Sequence, residues 1–426
     1  MLTNGTHAPH GLLIATQHPS LGGGVLGLVR AFLAWAGRTP GVAPALAYAP
    51  ASAADPVNVT PGRLLRGHWR PGRRDETWQG LPCHCIGKLL PRVEALTGRG
   101  STAVWGRLLD AFELAQVICG YAVTGVPLAK SGKRYVAWVA TSMDGDKRAR
   151  LVKAPWHRRL AHRVQSRELL RLERMVLEGA SWVLAISPHT RDELLERGAP
   201  ADRTSWLPPP VDVQRFHPAE TPPARPVVLS AARPNDPRKN TPLLLRAFAR
   251  IAASLPDARL MLVGEGDFAA LRRLTDQLGV GGQTDFVGWR AAADLPALYR
   301  QASVFAIPSD QEGLCIAGLE AMATGLPVVS TRCGGPEAFV APGKTGLLVD
   351  RHDERGLADA LHHLLSDPQA AALLGRQART LVEQEYSPGT FAMQMRRVYA
   401  AVWPDVLGTS LGGSPHGRLL SYSSGP

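Results

Sequence analysis

Short apolar runs, each followed by a stretch with helical spacing, constrain this chain more than any other feature. Gly11-Leu12-Leu13-Ile14-Ala15-Thr16 leads through Gly22-Gly23-Gly24 into an apolar helix over 25–36, and Tyr135 to Ala140 and Val183 to Ser187 repeat the pattern of a buried strand. After residue 226 the runs recur at Val227, Arg259 to Val263, Thr284 to Val287, Val304 to Ile307 and Val328 to Ser330. Runs this short, without polar alternation, read as strands buried on both faces. Their regular alternation with helices predicts an α/β fold: doubly wound parallel sheets covered by helices on both sides.

At 426 residues the chain is long enough for two or three domains, each burying its own core. A proline-rich passage, Pro208 to Asp212 and then His217 to Pro226, separates a first half, residues 10–217, from a second, 218–385. From 404 to 426, thirteen of 23 residues are Gly, Ser or Pro, which predicts a disordered tail. Leu114 to Ala129 is the longest apolar stretch, but Gln116, Gly120, Thr124, Gly125 and Pro127 interrupt it. It falls short of the ~20 residues a membrane span needs, and reads as a helix end followed by a strand. The Gly11 to Thr16 run lacks the basic lead-in of a cleavable signal. Five cysteines form no framework, and Cys83-His84-Cys85 has no second half to complete a metal site. Reduced thiols in a cytoplasmic setting fit this usage.

The chemistry concentrates in the second half. Glu312 and Glu320 stand eight residues apart around an apolar stretch that ends in Thr324-Gly325-Leu326-Pro327. Helix over 315–323, with Gly325 as a left-handed stop, would put Glu312 in a loop and Glu320 inside the helix. Backbone N–H groups of Gly313, Leu314, Cys315 and Ile316 would then face an anion at the helix start. In the loop after Val227, Arg233, Arg238 and Lys239 precede a helix marked by Leu243, Leu244, Ala247, Phe248 and Ile251. Cations at the carboxyl end of a strand suit a diphosphate leaving group, on which negative charge grows as a glycosidic bond breaks. Arg238 reads as solvent-facing.

These segments resemble the retaining glycosyltransferases of family 4, with GT-B architecture: two Rossmann-like doubly wound domains facing a central cleft. The likeness continues through Thr331 to Glu337 and Gly343 to Val349, and through Ser187 to Leu194 and Val211 to Pro218. It implies that Glu312 lies by the transferred sugar, that Glu320 binds the ribose diol, and that Arg233 and Lys239 hold the diphosphate. Gly23 and Gly24 stand where the family has a glycine-rich loop near a ligand phosphate. The stretch 386–403 resembles the family's closing helix, which crosses back to the first domain. Departures are Leu314-Cys315 in place of phenylalanine-glycine, Pro209-Pro210 in place of asparagine-glycine, and Thr141 to Asp144 where many members carry a histidine. Asp144 is a candidate for that contact.

The resemblance implies a sugar transferred with retention from a nucleotide-sugar donor to a hydroxyl acceptor, glycan or lipid-linked, held by the first half. No cofactor and no obligatory metal are expected, with Arg233 and Lys239 in a metal's role. An epimerase of the same fold and a nucleotide-sugar binder without turnover remain open.

The formal net charge is +12. Ten Lys or Arg between Lys147 and Arg174 face only Glu168 and Glu173, and Trp156, Leu160, Val164, Leu169, Leu172 and Val176 thread them with an apolar stripe. That composition fits a helix lying on an anionic membrane surface, peripheral at the inner face, and equally an ordinary solvated surface. A second basic and aromatic region holds Arg63, Arg66, Arg70, Arg73 and Arg74 with Trp69 and Trp78. No nucleic-acid motif accompanies the charge, so nucleic acid is not expected as a partner.

Overall fold

The structure, a computed structural model, describes residues 9–97, 100–143 and 156–407. They divide into two compact units. The first comprises 9–143, 156–209 and 392–407, and the second comprises 210–391.

The first unit holds β1 (His10–Thr16), β2 (Val42–Tyr48), β3 (Arg73–Trp78), β4 (Leu81–Ile86), β5 (Leu114–Cys119), β6 (Val136–Val139), β7 (Trp182–Ala185) and β8 (Thr204–Trp206). They form one sheet in the order β3-β4-β2-β1-β5-β6-β7-β8, parallel except for the β3–β4 hairpin at one edge. Helix α1 (Gly23–Ala36) follows β1, and α2 (Trp156–Gly179) precedes β7. The second unit holds β9 (Val227–Ala231), β10 (Arg259–Val263), β11 (Thr284–Gly288), β12 (Val304–Ile307), β13 (Val328–Thr331) and β14 (Gly346–Val349). Their order is β11-β10-β9-β12-β13-β14, parallel throughout. Helices α3 (Thr241–Ala252), α4 (Ile316–Ala323), α5 (Glu354–Ser366) and α6 (Pro368–Glu385) cover it, and α7 (Pro388–Val402) carries the chain across the division at 391/392.

Burial explains the strand runs. All six residues of β5 and all four of β6 and β12 are buried, so none needed to alternate. On α3 the expected apolar positions Leu243, Leu244, Ala247, Phe248 and Ile251 are all buried, each large side chain contributing roughly 1.5–3 kcal/mol of transfer free energy.

Four expectations are corrected. Leu114 to Ala129 runs strand first, then a 3-10 turn and a helix over Val126–Ser131, because Pro127 suits a helix's first turn while Leu114 to Cys119 fills the centre of the sheet. The helix expected from Cys315 begins at Ile316. The division between units falls at 209/210 rather than 217/218: Val211 donates to Tyr386 O at 2.8 Å and Phe216 packs edge-on against Tyr299. In the Arg63 to Arg74 region, Arg73 pairs with Asp75, Arg74 pairs with Asp55 and Glu76, and Arg63 donates to a backbone carbonyl. Of the expected tail, Pro404–Leu407 forms a helical turn and 408–426 lie outside the described residues, as does Asp144. Cys83 and Cys85 point to the buried face of β4, whereas His84 points the other way and meets Asp75 at 2.8 Å. No helix among the described residues is long and apolar enough to cross a membrane.

Within the first unit, α7 is part of the core. Tyr399 packs against Trp35, Phe32 and Trp403, and its hydroxyl donates at 2.8 Å to Oε1 of Gln116, a fully buried polar residue in the middle of β5. Tyr399→Phe removes the only donor recorded for that oxygen among the described residues. An unsatisfied buried acceptor costs about 1–3 kcal/mol, so urea unfolding followed by tryptophan fluorescence should show a destabilisation of that size. An unchanged midpoint would mean that Gln116 draws no stability from this bond.

Candidate active site

In the second unit the chain passes from β9 to β10 on one side and later to β12 on the other, so the sheet order reverses between β9 and β12. Ligands in open α/β sheets bind at the carboxyl ends of strands at such a reversal. The two loops that leave these strands carry the candidate cations and Glu312.

The loop after β9 is shaped by close backbone approach. Ala232 N donates to Val263 O at 2.8 Å, and a Cβ on Gly264 would stand 2.0 Å from Ala232 O. Asp236 then caps a short turn over Pro237–Lys239, accepting from Arg238 N at 3.1 Å, and Asn240 takes a left-handed conformation before α3. This loop is stitched to the loop after β12. Asp310 N donates to Arg238 O at 2.7 Å, and Asn240 Nδ2 donates to Asp310 Oδ1 at 2.8 Å.

At this junction Lys239 Nζ meets Glu312 Oε1 at 2.6 Å, and Ser309 Oγ donates to the same oxygen at 2.7 Å. Both charged side chains are mostly buried. Burial works to lower the Lys239 ammonium, but the neighbouring negative charge, chiefly Glu312, outweighs it and holds the group above its ordinary value. Glu312 is also fixed through its backbone: its N–H donates to Cys333 O at 2.9 Å and its carbonyl accepts from Gly335 N at 2.8 Å.

Arg233 is exposed, its one recorded contact being Asp236 at 3.4 Å. Arg238, expected to face solvent, is mostly buried and grips Asp236 through Nε at 3.0 Å and Nη2 at 2.7 Å. Burial alone would raise the Asp236 carboxyl, yet Arg238 holds it down at about 2. The deeper of the two arginines therefore shapes the loop, and the outer one presents charge.

Glu320 sits inside α4 with partners of its own. Tyr299 donates to its Oε2 at 2.9 Å, and that ring is fixed between Phe216 and Phe305. Gly325 has φ 80° beyond the end of α4, the left-handed stop its position predicts. At the other end Cys315 has φ 73° and ψ 74°, a conformation that glycine adopts without cost and cysteine does not. Leu314 is buried against Gly335, whose Cβ would stand 2.4 Å from the Leu314 backbone. Gly313 and Ile316 flank this turn. In the first unit, Gly23 and Gly24 open α1 and border open space, with φ 75° at Gly23. Sequence reasoning missed Ser309 and Tyr299, which donate to Glu312 and Glu320, and Asp236, which accepts from Arg238.

Comparisons with known proteins bear on the same residues. Residues 225–367 match the family described as glycosyl transferases group 1. A GDP-mannose-dependent alpha-(1-6)-phosphatidylinositol monomannoside mannosyltransferase of Mycolicibacterium smegmatis is 36% identical over 224 residues, 48% of this chain and 58% of that protein. A D-inositol 3-phosphate glycosyltransferase of Corynebacterium urealyticum is 36% identical over 172 residues, 38% of this chain and 40% of that protein. The chain thus spans less than two thirds of either relative. Among solved structures, Anabaena HepE in complex with UDP superposes with TM-score 0.68 at 19% identity, covering 92% of this chain and all of that one. Sucrose-phosphate synthase from Thermosynechococcus elongatus does so with TM-score 0.67 at 22% identity, covering 94% and 100%. Likeness at such identity shows the fold, the GT-B architecture of two doubly wound units.

In the second unit, Glu320 is the group whose surroundings predict a pH response. Burial pushes its carboxyl up to about 7, with the Tyr299 hydroxyl and the Arg215 charge pulling the other way. A folded-state value above the ordinary 4.5 means that the carboxylate is lost as pH falls through about 7. If the carboxylate accepts ligand hydroxyls, nucleotide affinity should drop roughly tenfold per pH unit below that point. Titration calorimetry between pH 5.5 and 8.5 on the native chain and Glu320→Gln tests this: the variant should be weak and flat, and a flat native profile would refute the assignment.

Proposed function

We propose that this chain is a retaining glycosyltransferase that moves a sugar from a nucleotide-sugar to a hydroxyl acceptor. The observation that carries the reading is the buried Lys239–Glu312 pair at a strand reversal within residues that match group 1 glycosyl transferases. Glu312 orients the transferred sugar, and Lys239 with Arg233 faces the diphosphate. When the glycosidic bond lengthens, negative charge collects on the leaving phosphate, and fixed cations stabilise it more than they stabilise the ground state. The departing phosphate oxygen takes the acceptor's proton while the acceptor attacks from the same face. The charge supplied by Lys239 and Arg233 makes an obligatory metal unnecessary in this scheme. Glu320 and the backbone of Gly313 to Ile316 bind the nucleotide, with Gly23 and Gly24 near its phosphates.

The named donor of the mycobacterial relative is GDP-mannose, and HepE was solved with UDP, which supports UDP- and GDP-sugars as first candidates. The acceptors named for the relatives are phosphorylated or phosphatidyl inositols, which supports a phosphate-bearing polyol, free or lipid-linked. Incubating the native chain with these donors and acceptors distinguishes transfer from the alternatives. Acceptor-dependent release of nucleotide is expected, whereas a new nucleotide-sugar without release would mean epimerisation, and binding alone a non-catalytic role. Charge-assisted hydrogen bonds contribute roughly 1.5–3 kcal/mol. Lys239→Ala or Arg233→Ala should therefore lower transfer about tenfold to a hundredfold with circular dichroism unchanged, and native-like rates would remove both from the site.

A cytoplasmic location with peripheral attachment to the inner membrane face belongs to the same reading. On α2, Trp156, Leu160 and Val164 are exposed at i, i+4 and i+8, interleaved with Arg159, Arg163 and Arg167, while Leu169, Leu172 and Val176 are buried in the core. One half of the helix is thus anchored and the other presents an apolar and basic edge. Sedimentation with anionic vesicles, lost in high salt and absent with neutral vesicles, is the expected result, since charge is screened within ~10 Å at 0.1 M salt. Equal binding to both vesicle types would count against it.

A further inference from the structure

Residues 218–226 include four prolines, Pro218, Pro222, Pro223 and Pro226. Proline fixes φ and brings no backbone N–H, so a wall built from it is pre-formed and carries few donors. In the second unit this wall closes a cavity of about 640 Å³ at the amino ends of β9, β12 and β13, opposite the loops that carry Lys239 and Glu312. The last turn of α5 and the first turns of α6 complete it.

The floor of this cavity is apolar, with Leu326, Leu364 and Leu365 buried in it. The hydroxyls nearest the strands are already engaged: Thr324 Oγ1 donates to Glu320 O at 2.9 Å, and Ser303 Oγ accepts from Val227 N at 3.2 Å. The mouth is cationic. Arg225 and Arg376 are exposed and Arg300 is half-buried, and among the described residues none of the three has an ion pair, Arg300 meeting His217 Nε2 at 3.5 Å. Arg379, also in the lining, is paired with Glu383 at 2.7 Å. Against the other three guanidiniums the lining offers one carboxylate, the exposed Glu220. A sugar or a nucleotide would lose water from its hydroxyls on this floor and find no partners for them. Guanidiniums present a planar fork that matches a carboxylate, and an anion among them relieves their mutual repulsion. The volume lies within the ~300–1,000 Å³ of small-molecule sites.

We propose that this cavity is a second ligand site, for a free medium-chain carboxylate whose alkyl chain lies on the leucines and whose head group meets Arg225, Arg300 and Arg376. It is separate from the proposed donor site, and it holds whether or not the chain transfers sugar.

Calorimetry on the native full-length chain would compare decanoate, decan-1-ol and acetate. Decanoate should bind more tightly than decan-1-ol by about tenfold or more, the margin expected of charge-assisted hydrogen bonds, and acetate should show no measurable binding. Arg300→Met combined with Arg376→Met should reduce decanoate to the affinity of decan-1-ol. Ala372→Trp, which puts a bulky ring at an exposed position of the lining on α6, should abolish binding of both. Circular dichroism reports that the variants fold. Equal affinity for decanoate and decan-1-ol, native decanoate binding by either variant, or no decanoate binding at all overturns the proposal. Displacement of decanoate by UDP would put it in the donor site and overturn the proposal as well. Sedimentation with phosphatidylglycerol vesicles that depends on the two arginines, without binding of free decanoate, would make the patch a membrane surface and also overturn it.

Discussion

The candidate site of this chain depends on one constraint of parallel sheets: a strand order that reverses. Right-handed crossovers place successive strands to one side until the chain crosses to the other, and the two loops leaving the strands on either side of the reversal then diverge. Beyond the end of the β9–β12 ladder that divergence is bridged by one backbone bond, Asp310 N to Arg238 O, and by side chains. The Lys239–Glu312 pair and the Asn240–Asp310 bond span it. A ligand placed there meets charges already held in position, so little reorganisation is needed when it binds. The first unit repeats the geometry between β1 and β5 with a different lining, where Asn58 Oδ1 accepts from the backbone N–H of Lys88.

The central strands were legible in the sequence because burial on both faces leaves an unbroken apolar signature. Arg259 to Val263 and Val304 to Ile307 match their strands residue for residue. Leu114 to Ala129 was misread in order because an apolar run of its length fits a buried helix or strand equally, and only pairing with β1 settles it. The α2 stripe looked ragged because two environments are joined end to end on one helix, exposed at Trp156 and core at Val176. In the site, charge and spacing pointed to Glu312 and Lys239, but not to their contact, which joins residues 73 apart. Sequence put Arg238 in solvent, yet both arginines reach Asp236 Oδ2 and it is Arg238 that is mostly buried and Arg233 that is exposed, a difference set by tertiary packing.

The turn before α4 stores backbone strain. Cys315 holds a left-handed conformation at a cost on the order of 1–3 kcal/mol. The neighbouring contacts enforce it, with Leu314 pressed on Gly335 and the Glu312 backbone tied on both sides to the loop after β13. Burial raises the Cys315 thiol far above its ordinary range, and the Cys333 thiol to about 12, so both remain protonated and poorly nucleophilic. The strain is thus local and chemically quiet.

The bond between Tyr399 and Gln116 joins residues 283 apart in sequence. Closing so long a loop is slow, and the first unit's core has a gap beside Phe32 and Trp35 until Tyr399 and Trp403 arrive. On a ribosome, which extends the chain at ≈ 5–20 residues per second, the second unit has all of its strands in hand before the first can finish. The first unit's core therefore cannot be completed until the second unit's strands have been synthesised, and the Gln116 amide in β5 lacks its Tyr399 partner until then.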